Sequence, residues 1–149
     1  MRRLALALGA LLSLACAKAD APPVADAAAA APTIHLADLA GAWSAVATTV
    51  GSDSVLVTFD MAASADPMNW SMTLPGREPV AMTVGVSGDS ILTQSEPYES
   101  ALRPGIQVTV NGSMHLVDGA LVGPSIAHYA TTGPDSVVHL WITATRSAE

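Results

Sequence analysis

The chain has 149 residues, room for one domain, and its 13 acidic against 6 basic residues give a formal net charge of −7. An acidic body repels phosphate backbones and anionic lipid surfaces, which excludes nucleic-acid binding and charge-driven membrane adsorption. A single cysteine, Cys16, excludes an intramolecular disulfide and a zinc site built from thiolates.

The chain opens with a short positive region, Met1-Arg2-Arg3, and an apolar run over 4–14 that is too short to span a bilayer as a helix. The run ends in Ser13-Leu14-Ala15-Cys16. Leu14-Ala15-Cys16 resembles the lipobox of bacterial lipoproteins, with Ser13 where Leu is usual. That resemblance implies removal of 1–15, a thioether-linked diacylglycerol on Cys16, and a membrane anchor facing the periplasm or the cell exterior. The alternative is an ordinary secretory signal cut beside Ala15 or Ala17, with a secreted product. Residues 16–32 are dominated by alanine and proline and bury almost nothing, so they read as a tether. In extended form, at about 3.1 Å per residue, the tether reaches roughly 50 Å from the bilayer.

The domain is expected over 33–149, beginning with a short irregular or helical lead-in over 33–39. From Ala42 the pattern turns to period two, the signature of half-buried strands. Strands are predicted over 42–50, 54–61, 68–74, 80–87, 90–95, 106–117, 120–130 and 136–146. In the third, Met68, Trp70, Met72 and Leu74 alternate with Asn69, Ser71 and Thr73. Turn chemistry separates the strands, most plainly at Asp118-Gly119, a two-residue hairpin signal. Gly51-Ser-Asp-Ser-Val, Gly88-Asp-Ser-Ile and Gly133-Pro-Asp-Ser-Val repeat one device, in which Asp and Ser bond the local backbone ahead of a β-branched residue. No segment offers a crossover helix. The fold class is therefore all-β: a single up-and-down antiparallel barrel of about eight strands, with an open β-sandwich as the alternative.

Gly41-Ala42-Trp43 on the first strand and Arg146 on the last resemble the signature of the calycin superfamily, the lipocalins and avidin-like proteins. The resemblance implies a barrel whose closed end is packed by Trp43, with Arg146 lying across it. It also implies a small apolar or amphipathic ligand as one function. A structural or protein-interaction lipoprotein with a filled barrel is the other, and an enzyme is the least favoured.

Up-and-down topology puts the connections at 51–53, 75–79, 96–105 and 131–135 at one end, the expected mouth. Tyr98, Arg103 and Arg77 are the candidate ligand contacts there, with 96–105 free to move and Tyr98 to Arg103 projecting. Phe59, Trp70, Met72 and Met82 are the candidate interior lining. Ala45, Ala47 and Thr49 leave either space for large partners opposite or a cavity. If Asp118-Gly119 is a hairpin turn, His115 lies near Val122, roughly 20 Å along the ladder from His128 and too far to share a metal. His128 and His139 are close only in one register. Glu96 and Glu99 fall in a loop, and no Gly-x-Ser-x-Gly elbow or phosphate loop is present. No catalytic residue, metal site or cofactor is expected. The expected partners are the membrane, through Cys16, and a small hydrophobic ligand or an envelope protein.

Overall fold

The computed structural model describes residues 33–148. The expected signal segment, Cys16 and the tether lie outside them. One turn of helix, α1 (Leu36–Leu39), leads into β1 (Gly41–Thr49), β2 (Val55–Ala63), β3 (Trp70–Thr73), β4 (Val80–Ser87) and β5 (Ser90–Ser95). A two-residue strand β6 (Tyr98–Glu99) precedes β7 (Gln107–Val117), β8 (Ala120–Tyr129) and β9 (Val137–Arg146). Strands β1 to β5 each pair antiparallel with the next, β5 passes to β7, β7 to β8, β8 to β9, and β9 returns to β1. These eight strands close an up-and-down barrel, and β6 is an extra strand on β7. Closure leaves neither β1 nor β9 as an edge, so the open sandwich is ruled out.

Alternation decides which side chains enter the barrel. Trp43, Ala45 and Ala47 of β1 stand beside Met61, Phe59 and Val57 of β2, and beside Arg146, Ala144 and Ile142 of β9. Trp70 pairs with Met82, Ile91 with Met114, and Leu121 with Ala144. Trp43, Trp70, Leu39, Ile91 and Leu121 are fully buried; burying each large apolar side chain contributes about 1.5–3 kcal/mol. Asp118 (φ 50°) and Gly119 (φ 81°) form the left-handed turn that an Asp-Gly hairpin requires. His115 lies opposite Val122, as the hairpin dictates.

Three local departures from the sequence reading have physical causes. β3 starts at Trp70 because Asp66 accepts the backbone N–H of Met68 at 2.9 Å and that of Asn69 at 3.1 Å, winding 66–69 into a turn and leaving Met68 exposed. The end of the last turn, Pro134–Ser136, is a 3-10 turn, so β9 starts at Val137. The segment 96–105 is not one long loop. Pro97 interrupts β5, since it has no N–H to give a ladder, and the chain rejoins the sheet as β6, where Tyr98 pairs with Val108. The Ser95 hydroxyl accepts the Val110 N–H at 2.9 Å and bridges the interruption.

Two glycines allow β7 and β8 to approach. A Cβ on Gly123 would lie 2.0 Å from the Ser113 carbonyl oxygen, and one on Gly112 would lie 2.6 Å from the Ser125 hydroxyl. The first obstacle is backbone and has nowhere to go. Gly123→Ala is expected to destabilise the barrel by about 3 kcal/mol, the upper part of the usual overpacking range. Gly85→Ala, in β4 with open space around it, is expected to change stability by less than about 0.5 kcal/mol. Urea unfolding of the two variants beside the parent measures both.

Candidate functional site

The closed end is built from α1 and the first and last strands. The Trp43 indole N–H donates to the Leu39 carbonyl at 2.8 Å, seating α1 on the barrel. The Arg146 guanidinium lies 4.6 Å from the Trp43 ring centroid and donates to the carbonyls of Ala40, at 3.0 Å, and Asp38. A cation over an indole contributes about 0.5–1 kcal/mol at an exposed site. Here it also satisfies carbonyls that so short a helix leaves without partners.

The barrel interior is filled. The space left at its centre is about 30 Å³, bounded by Met61, Met72, Met82 and Met114 with Phe59 and Ile142 and, on one side, the small polar groups of Thr93, Ser95 and Ser125. That is about the share of one water molecule. The narrow faces of Ala45, Ala47 and Ala144 are matched by long thioethers, which bend into irregular gaps. Of the four residues read as interior lining, Phe59, Met72 and Met82 border this space. Trp70 is buried nearby, its indole N–H donating to the Ser64 carbonyl at 2.7 Å. Met61 and Met114 were not singled out from sequence, although their inward phase in the alternation of β2 and β7 marks them.

At the other end, Tyr98, Arg103 and Arg77 come together with Tyr129, and each is engaged. The Arg103 guanidinium stacks 4.1 Å over the Tyr129 ring and donates to the Asp135 carbonyl at 2.6 Å, tying the 96–105 segment to the β8–β9 turn. Arg77 donates to the Glu99 carbonyl. Tyr98 does not project; it packs among Val108, Ile106 and Tyr129 in an apolar cluster that stoppers the barrel. The turn 100–105 is braced rather than free. The buried Ser100 hydroxyl accepts the N–H groups of Leu102 and Arg103, both at 3.1 Å, and the Glu99 carboxylate accepts that of Gly105 at 3.1 Å. Between this segment and the 75–79 turn runs an open groove of about 470 Å³ lined by Leu74, Arg77, Glu78, Val80, Tyr98 and Glu99. Tyr129 and Ser100 carry the closure and escaped the sequence reading, because their importance lies in what the fold brings to them.

His35 and His115 line one open depression of about 340 Å³ together with Asp38 and Asp89. His115 lies 3.6 Å from Asp89 and 3.3 Å from the Ser90 hydroxyl. His139 pairs with Ile126, one diagonal step from His128, and both are exposed on the outer wall. Among the described residues no three His, Cys, Asp or Glu side chains gather as metal ligands would. No family model, curated protein or solved structure matches the chain.

Burial pushes the Tyr98 phenol up to about 12 from 10.0; neighbouring Tyr129 adds to the shift and Arg77 opposes it. The unfolded chain thus releases this proton at lower pH than the folded one. The stability tied to Tyr98 is complete below pH 10 and is lost as pH rises towards about 12. Tyr98→Phe is expected to remove that part of the alkaline decline. Denaturant midpoints of parent and variant between pH 9 and 12 measure it.

Proposed function

We propose that this protein is a lipid-anchored lipoprotein of the bacterial cell envelope that acts through its outer surface, with the filled barrel as a rigid scaffold rather than a carrier of a small molecule. In this reading Cys16 bears the acyl anchor and residues 17–32 space the barrel from the membrane, facing the periplasm or the cell exterior. The observation that carries the outward-acting part is the interior: about 30 Å³ of free space against the 300 Å³ or more of a usual ligand cavity, beneath a mouth closed by Tyr98, Tyr129 and Arg103. A calycin-like ancestry for the body is supported by the stack of Arg146 on Trp43 at the closed end. The lipobox-like Leu14-Ala15-Cys16 supports the anchor. No catalytic role is part of this reading.

Exposed apolar side chains on the wall favour an interaction role. Trp141, Val55 and Leu92 each keep 41–54% of their surface open, and Leu116 and Val117 are similarly exposed near the far end. Native mass spectrometry of protein purified from its own membrane is expected to show a chain starting at Cys16 with acyl mass and no retained small molecule. A stoichiometric retained ligand would overturn the filled-scaffold reading. Cys16→Ser is expected to move the protein out of the membrane fraction or stall it as an uncleaved precursor, which fractionation and immunoblotting measure.

A further inference from the structure

The outer wall has an uncommon composition. On the eight barrel strands Asp60 is the one carboxylate, and Arg146, the last residue of β9, is the one strong base. The rest of the outward positions are mainly Ser, Thr, Ala, Val, Asn, Gln and His. Along the outside of β1 this wall is concave. Two depressions, of about 410 and 450 Å³, share Val46 and Thr143 and so run into one trough. Along the trough β1 presents Ser44, Val46 and Thr48 outward, with Trp141 of β9 lining it on one flank and Val55, Asp60 and Pro75 on the other. From Ser44 to Thr49 the floor is about 17 Å long at the strand rise of ~3.4 Å per residue.

We propose that this trough binds a linear, uncharged glycan built of N-acetylated amino sugars. The inference rests on the outward-acting reading above and names its ligand. Hydroxyls of Ser44, Thr58, Thr143 and Thr145 line one half, and those of Thr48 and Ser52 the other. Ser44 and Thr48 already donate to Asp60 and the Trp141 carbonyl, and Ser52 accepts the Ser54 N–H. Thr58, Thr143 and Thr145 are therefore the hydroxyls that both donate to and accept from a sugar. The Asp60 carboxylate receives the Ser44 hydroxyl at 3.1 Å on one oxygen and keeps further acceptor sites for an amide or hydroxyl donor. Val46 supplies an apolar floor beside Asp60, where an acetamido methyl rests while its N–H meets the carboxylate. Trp141, 41% exposed at the far end, offers a ring against which the C–H face of a sugar packs.

Competing ligands meet specific obstacles. No Lys or Arg lines the trough, so an anionic polymer finds Asp53 and Asp60 and no counter-charge. An extended peptide gains no main-chain hydrogen bonds, because β1 is already paired on both sides along its length.

The test titrates the full-length protein in detergent with tetra-N-acetylchitotetraose, cellotetraose and an oligogalacturonate. Trp43 and Trp70 are buried, so a change in fluorescence from solvent-exposed indole reports Trp141, and calorimetry supplies affinities for all variants. The acetylated tetrasaccharide is expected to bind, with cellotetraose at least several-fold weaker and the oligogalacturonate silent. Trp141→Ala removes the platform and Thr48→Lys obstructs the trough with the indole left in place. Each is expected to weaken binding at least tenfold, and Leu92→Ala on the opposite wall to leave it unchanged. Both altered positions face outward, and an unchanged thermal midpoint confirms that the variants fold. The proposal is overturned if the acetylated tetrasaccharide does not bind, if cellotetraose or the oligogalacturonate binds as tightly, or if both trough variants bind like the parent. A protein partner blocked by Thr48→Lys, with no saccharide binding, overturns the glycan and leaves the outward-acting scaffold standing. A small molecule retained inside the barrel overturns the scaffold itself.

Discussion

The pairing of β1 with β9 is the constraint from which the rest follows. Seven successive residues of β1, from Trp43 to Thr49, are matched to residues of β9, from Arg146 back to Leu140. That seam converts a meander with two open edges into a closed wall with none. It also places Arg146 on Trp43, so the residue that ends the last strand locks the residue that begins the first. Because side chains alternate, closing the seam in this register fixes which half of every strand must fill the interior. A one-residue slip would turn Trp43, Ala45 and Ala47 to solvent and bring Ser44, Val46 and Thr48 inside.

Filling that interior is a matter of volume. An eight-stranded barrel has space for side chains or for one small ligand, and the choice depends on the sizes of the inward residues. Here the seam strands contribute alanines, and β7 and β8 contribute Gly112 and Gly123, so the wall itself is thin in several places. Four of the six methionines cross the space thus left. Their flexibility lets them meet around a space of about 30 Å³. The few polar groups inside sit together at Thr93, Ser95 and Ser125, where strands β5, β7 and β8 crowd around Gly112.

Both ends are then sealed by the same device. Each of the three arginines among the described residues donates to a backbone carbonyl: Arg146 to Ala40 and Asp38, Arg77 to Glu99, Arg103 to Asp135. Two of them also lie over an aromatic ring, Trp43 at one end and Tyr129 at the other. A planar fork of donors on a long apolar stem suits this task better than lysine would, since it can stack and bond at once. With its arginines committed to the ends, the long wall is left almost without charge, and its concave stretch along β1 is one surface open to a partner.

The sequence by itself determined most of the strand pattern and which strands are neighbours. The contact between Trp43 and Arg146 was implied by the resemblance to calycins, and closure as a barrel rather than an open sandwich was decided by the pairing of β1 with β9. Period-two alternation and turn residues act locally, and short turns leave no other neighbour for each strand. His115 opposite Val122 followed for the same reason, from two residues of hairpin chemistry. Only the tertiary structure decided whether the barrel was hollow. The small faces of β1 are equally compatible with a cavity and with large partners, and the answer depends on the summed volume of eight strands. It likewise decided that Tyr98 turns inward and that Arg103 stacks on Tyr129. A loop residue's fate is set by what the fold places beside it, and Pro97 breaking the ladder is a local signal whose outcome depends on β7 lying within reach. The trough along β1 belongs to the same class: Trp141 is outward by alternation alone, but it stands beside Thr48 only once β9 and β1 are paired.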